Sequence, residues 1–169
     1  MTIEIKINPQ QQEKHQMDTI TTAVVKQATD LTKQPPRSPY TKLGGYVIMA
    51  RMIDKGRATI AGTNGDYHFD CPLDNMLLSF KGIKGADVKA LLTTQADDTK
   101  ILEWFNANGT AKTPDEIKTW SESMRKVTLN DNPEKKEFFA SECKRLGLDP
   151  EKSTLFQMLD ADDKASFKK

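Results

Sequence analysis

The sequence predicts an all-α fold, a compact bundle of about eight short helices, and three observations carry that expectation. Capping-type residues stand at or just before proline at Asp70-Cys71-Pro72, Thr113-Pro114, Asn132-Pro133 and Asp149-Pro150, each ahead of an apolar-periodic stretch. Proline in the first turn sacrifices no hydrogen bond that a helix would use, so each site marks a helix start. Gly82, Gly109 and Gly147 stand where the preceding helices should stop, because glycine accepts the left-handed conformation that closes a helix. Beyond residue 8, apolar residues recur at steps of three and four, the helical period.

Taken in order, Ile3, Ile5 and Ile7 alternate with Thr2, Glu4 and Lys6, which predicts a short half-buried strand. Asn8-Pro9 then opens a helix whose stripe is Met17, Ile20, Val24, Ala28 and Leu31. Residues 1–29 thus form an accessory arm, docked on the body or on a second copy as a homo-oligomer contact, and residues 30–169 a single helical domain. Pro35, Pro36 and Pro39 exclude helix from Thr32 to Pro39, a segment expected to run extended over the surface. From about Leu43 a helix is expected, with Met49, Met52, Ile53, Gly56 and Ile60 on one face and Gly62 at its end. Arg51, Asp54, Lys55 and Arg57 fall away from the centre of that face. Asn64-Gly65 predicts a turn.

Further helices are expected over Ala86 to Leu92 and Asp97 to Asn108. Thr113 and Glu116 have capping-box spacing, and Ile117, Trp120, Met124 and Val127 continue the pattern. Trp104, Phe105, Trp120, Phe138, Phe139 and Phe156 are assigned to the core, as are Met49, Met52, Met124 and Met158. Glu134 to Glu137 is expected as a solvated face and Asp160 to Asp163 as a polar tail.

Composition narrows the function classes. The 169 residues carry 25 Lys+Arg against 24 Asp+Glu, a net charge of +1, which gives no support to a single-sign surface for nucleic acid or anionic lipid. The longest apolar candidate, Tyr46 to Ile53, is interrupted by Arg51 and is far short of the roughly 18 residues of a membrane span. No secretion signal is evident at the N-terminus, so a cytoplasmic protein is expected. Cys71 and Cys143 match no metal spacing and are expected as thiols.

Several motifs occur together: Asp30 to Pro39, Leu43-Gly44-Gly45-Tyr46, Asp54-Lys55-Gly56-Arg57-Ala58, Gly65-Asp66-Tyr67-His68 and Cys71-Pro72-Leu73-Asp74. In this combination the chain resembles the bacterial family called domain of unknown function five-zero-six-nine, clearly over about residues 30–108 and more loosely to the C-terminus. The resemblance implies no reaction and no catalytic residue; it draws attention to the motif residues themselves.

Four constellations carry chemistry. Arg37, Tyr40, Arg51, Arg57, Tyr67 and His68 come from segments able to converge, and Arg forks with phenols fix carboxylates and phosphates. The plainer account pairs Arg57 with Asp54 and leaves Arg37 capping a helix or in solvent. Cys71 beside a helix start, with His68 three residues earlier and Asp66 or Asp70 to orient the imidazole, could form an activated nucleophile; a buried, inert thiol is the simpler account. A metal set from His68, Asp70, Cys71 and Asp74 lacks imposed geometry, and no metal or cofactor is assigned. Phe80 to Gly85, with Lys81, Lys84 and Lys89, resembles the glycine turn of helix-hairpin-helix modules, with one lysine inserted; an ordinary helix stop and restart explains it better.

The leading expectation is a protein that binds a small polar or anionic molecule, or a protein partner, through Arg37 to Tyr46 and Tyr67 to Cys71. One alternative is a small enzyme with His68 as acid or base, Arg51 or Arg57 anchoring an anionic substrate, and Tyr67 as a donor. A nucleic-acid accessory protein is a further alternative.

Overall fold

The computed structural model describes residues 9–168, with the side chains of residues 20–26 left aside. Eight helices follow one another among the described residues: α1 (Pro9–Gln27), α2 (Met49–Ala61), α3 (Pro72–Lys81), α4 (Gly85–Thr93), α5 (Asp98–Ala107), α6 (Pro114–Met124), α7 (Lys136–Arg145) and α8 (Leu155–Ser166). The fold is all-α, as the spacing predicts. The expected strand over residues 2–7 lies outside the described residues.

Helix α2 forms the centre of the bundle. All ten residues from Met49 to Ala58 are buried, so this helix is covered on every side and not along one stripe. Helices α1, α3 and α4 pack against it. Around it the core gathers Leu77, Leu78, Val88, Ile101, Phe105, Phe139 and Phe156. Phe138, assigned to the core from spacing, is 59% exposed, while its neighbour Phe139 is buried.

Local chemistry explains most boundaries. Thr113 and Glu116 close a capping box at α6, and Cys71 precedes Pro72 at the start of α3. Three expected starts move. The α2 helix begins at Met49, not near Leu43, because Gly44 and Gly45 take positive φ in a tight turn where Leu43 and Tyr46 exchange backbone hydrogen bonds. Asn132-Pro133 and Asp149-Pro150 open turns instead of helices: Asn132 Oδ1 accepts from Glu134 N and Asp149 Oδ1 from Glu151 N. Such side-chain turns compete with helical bonding. The α8 helix starts at a second capping box, Thr154 with Gln157, and absorbs Asp160 to Asp163, which are therefore no polar tail. The proline-rich segment runs over the surface only in part, since Thr32, Lys33 and Gln34 are exposed whereas Pro36 and Pro39 are buried.

Candidate functional site

A fully covered central helix with four charged residues raises an immediate electrostatic requirement, because buried charge is tolerated only when paired and hydrogen-bonded. Arg51, Asp54, Lys55 and Arg57 are 3%, 7%, 3% and 9% exposed, so the expected position off the core face does not mean solvent. Helical spacing divides them into two pairs of neighbours. Asp54 and Arg57 share one side of α2, Arg51 and Lys55 another.

On the first side, Asp54 receives Arg37 Nε at 2.9 Å and Arg37 Nη2 at 2.8 Å. Arg37 Nη1 reaches Asp98 at 2.6 Å, and Arg57 Nη1 reaches the other oxygen of Asp98 at 2.8 Å. Arg57 Nη2 also donates to the Ala96 carbonyl at 2.9 Å. Arg57 thus pairs with Asp98 and not with Asp54, whose partner is Arg37. Burial alone would raise the Asp98 carboxyl, but the two guanidinium groups hold it below the ordinary aspartate value. This network ties the proline-rich segment and α5 to α2 and leaves neither guanidinium free to receive an anion.

On the second side, Arg51 grips Asp163 of α8 through two bonds of 2.6 and 3.1 Å. The Tyr67 hydroxyl donates to the same carboxylate at 2.7 Å, and the Arg51 guanidinium lies 5.5 Å from the Tyr67 ring centre. Burial and the adjacent Asp163 carboxylate push the Tyr67 phenol well above its ordinary pKa. One turn along α2, Lys55 Nζ sits 2.8 Å from an Asp74 carboxylate oxygen and donates to Cys71 Sγ at 3.1 Å. Asp74 is fully buried, and burial raises its carboxyl against the opposing pull of Lys55.

Arg51, Asp163 and Lys55, but not the buried Asp74, stand in the wall of a cavity of about 550 Å³, whose lining also includes Tyr67, His68 and Cys71. Of the residues expected to converge, Arg51, Tyr67 and His68 line it, together with Cys71. Arg37, Tyr40 and Arg57 are not among the lining residues. Tyr40 instead packs edge-on against Phe156 at 5.1 Å and approaches Thr154 Oγ1 at 3.3 Å. His68 is exposed, and Lys55, not His68, donates to the Cys71 sulfur. Asp70 turns its carboxylate to Asn75.

Lys55, Asp98 and Asp163 were not singled out from sequence as binding residues, and Asp74 was considered only within the metal set. A signal existed for Asp163: it stands four residues after Leu159 and seven after Phe156, on the apolar side of α8, where a carboxylate implies a buried partner. Lys81 also departs from expectation. It is 1% exposed, whereas Lys84 and Lys89 are exposed, so the three lysines do not share one basic surface.

Among the described residues, no three His, Cys, Asp or Glu side chains gather as a metal site, and no helix is long and apolar enough to cross a membrane. Among curated proteins, no sequence matches the chain. A family profile covers residues 33–165, including both charged sides of α2, and by that match the chain belongs to the family described as domain of unknown function (DUF5069).

Proposed function

We propose that this protein binds a small polar molecule in the cavity between α2, the Gly65 to Cys71 loop and α8. The observation that carries this reading is the triad Arg51, Asp163 and Tyr67, bonded at 2.6 to 3.1 Å and set in the wall of a cavity of about 550 Å³. Sites of a few hundred Å³ with a small number of fixed polar groups are the usual form of a small-molecule pocket. The charge balance favours a ligand with amine or hydroxyl donors over an anion. Arg51 and Lys55 are matched by Asp163 and Asp74, and Asp66 adds an acceptor to the lining beside Asp162, which is paired with Arg145. The exposed His68 supplies a further polar contact. The free thiols of Cys71 and Cys143 accord with residence in a reducing compartment.

Native mass spectrometry of protein purified without an affinity metal, beside its denatured mass, tests the proposal. A reproducible excess mass on the wild-type chain, lost in His68→Ala and Tyr67→Phe, is the expected result. A bare wild-type chain that no amine or polyol stabilises against heat overturns it.

A second reading rests on the Lys55 to Cys71 contact of 3.1 Å at the first turn of α3: covalent chemistry at the Cys71 thiol. A thiol beside an ammonium group and a helix N-terminus is placed for nucleophilic attack. Cys71 alkylating no faster than the buried Cys143 in the folded chain removes this reading.

A further inference from the structure

A second cavity, of about 450 Å³, shares no lining residue with the first; Lys42, Lys81, Lys112 and Lys118 all border it, and no aspartate or glutamate does. Lys81 is the telling member. At the end of α3 it is 1% exposed, yet it has no carboxylate partner among the described residues. Its Nζ donates to the Thr110 carbonyl at 2.9 Å and lies 5.8 Å from the Phe105 ring centre. Thr110 is held there in turn by its own N–H to the Lys81 carbonyl at 2.6 Å. Gly109 makes this approach feasible, since a Cβ on it would fall 2.1 Å from the Lys81 oxygen. An ammonium group has three donors, so Lys81 keeps donors in hand beside the cavity.

The other lysines add to the same field. Lys112 lies 4.6 Å from the Phe80 ring centre, while Lys42 is drawn to Glu122 at 3.1 Å. Glu116 of α6 is engaged in the capping box with Thr113. Burial and the neighbouring Lys112 charge both push the Lys81 ammonium below its ordinary pKa, the mark of a cation lacking its counter-ion. Every other charged residue buried on α2 and α8 has an opposite charge within 3 Å. Lysine binds phosphate as a compact point charge, without the planar fork by which arginine holds carboxylate or phosphate.

We propose that this cavity binds a compact phosphate-bearing small molecule, with Lys81 as its buried anchor and Lys112 and Lys118 at its rim. The cavity's size and the single buried ammonium fit such a ligand better than an extended polymer backbone.

Isothermal titration of the full chain with inorganic pyrophosphate, at constant ionic strength set by potassium chloride, tests the assignment. Saturable one-to-one binding is expected, weakened about tenfold or more in Lys81→Met and in the Lys112→Ala/Lys118→Ala pair. Binding should be unchanged in Lys84→Ala/Lys89→Ala. Without ligand, Lys81→Met should melt at or above the wild-type temperature, which a purely structural lysine would not allow. Should that variant fail to fold, the exposed Lys118→Ala carries the affinity test alone. No saturable binding overturns the proposal, as does affinity indifferent to Lys112 and Lys118. Succinate binding as tightly as pyrophosphate overturns the phosphate assignment. A single-stranded oligonucleotide that binds more tightly, and weakens with Lys84→Ala/Lys89→Ala, would place a nucleic-acid surface there instead.

Discussion

Asp163→Ala isolates the electrostatic requirement at the centre of the bundle. The side chains of Arg51 and Asp163 are 4% and 8% exposed, so removal of the carboxylate strands a guanidinium in a low-dielectric interior. Its remaining acceptor is the Arg37 carbonyl at 3.2 Å. Breaking a buried pair by deleting one partner costs about 3–5 kcal/mol. The orphaned Tyr67 hydroxyl adds about 1 kcal/mol, part of which water recovers because Tyr67 is only half-buried. A loss of about 3–5 kcal/mol is therefore expected, or a fall of about 6–20 °C in Tm for a domain of this size. Urea unfolding followed by far-UV circular dichroism measures it. Arg51→Met/Asp163→Leu should recover most of the loss, since replacing both charges removes the desolvation cost together with the pair. A cost under about 1 kcal/mol for Asp163→Ala, or a double variant no better than the single, would refute the buried-pair argument.

Tyr67 should ionise well above the ordinary tyrosine pKa of about 10; a phenol raised on folding stabilises fully below that value and loses its contribution as pH rises through the folded one. Absorbance titration at 295 nm of wild type and Tyr67→Phe checks this, and a Tyr67 step at the ordinary value would contradict it. Asp98 has the opposite sign: held low by Arg37 and Arg57, it stabilises above the ordinary aspartate value, and that contribution is lost as pH falls through the folded one. Asp98→Asn should accordingly flatten the acid limb of a pH-stability curve, and an unchanged limb would count against the network. Gly109→Ala should cost more than Gly62→Ala: both positions have positive φ, worth about 1–2 kcal/mol, but only Gly109 meets a backbone oxygen, at 2.1 Å. Equal losses on urea unfolding would remove that contact as a reason for the glycine. Thr154→Ala should cost about 1 kcal/mol as the true cap of α8, and no loss would return the start of that helix to Asp149-Pro150.

Sequence by itself determined the all-α class, the number of helices, and the starts of α3, α5 and α6, because helix period and capping are local properties of a few neighbouring residues. Family membership was equally legible, in motifs such as Asp54-Lys55-Gly56-Arg57-Ala58. Local signals failed where a side chain had two local uses: Asn132 and Asp149 bind the backbone two residues on, and the helices begin later. What only the tertiary structure decided is which charge meets which. Arg51 finds Asp163 across 112 positions and Arg57 finds Asp98 across 41, and no periodicity encodes either distance. That choice separates Arg51, Tyr67 and His68 from Arg37, Tyr40 and Arg57, and it leaves Lys81 buried beside a cavity with no carboxylate partner among the described residues. Pairing of buried charge is set by the three-dimensional crossing of helices, since the cost of an unpaired ion depends on what surrounds it and not on what adjoins it in the chain.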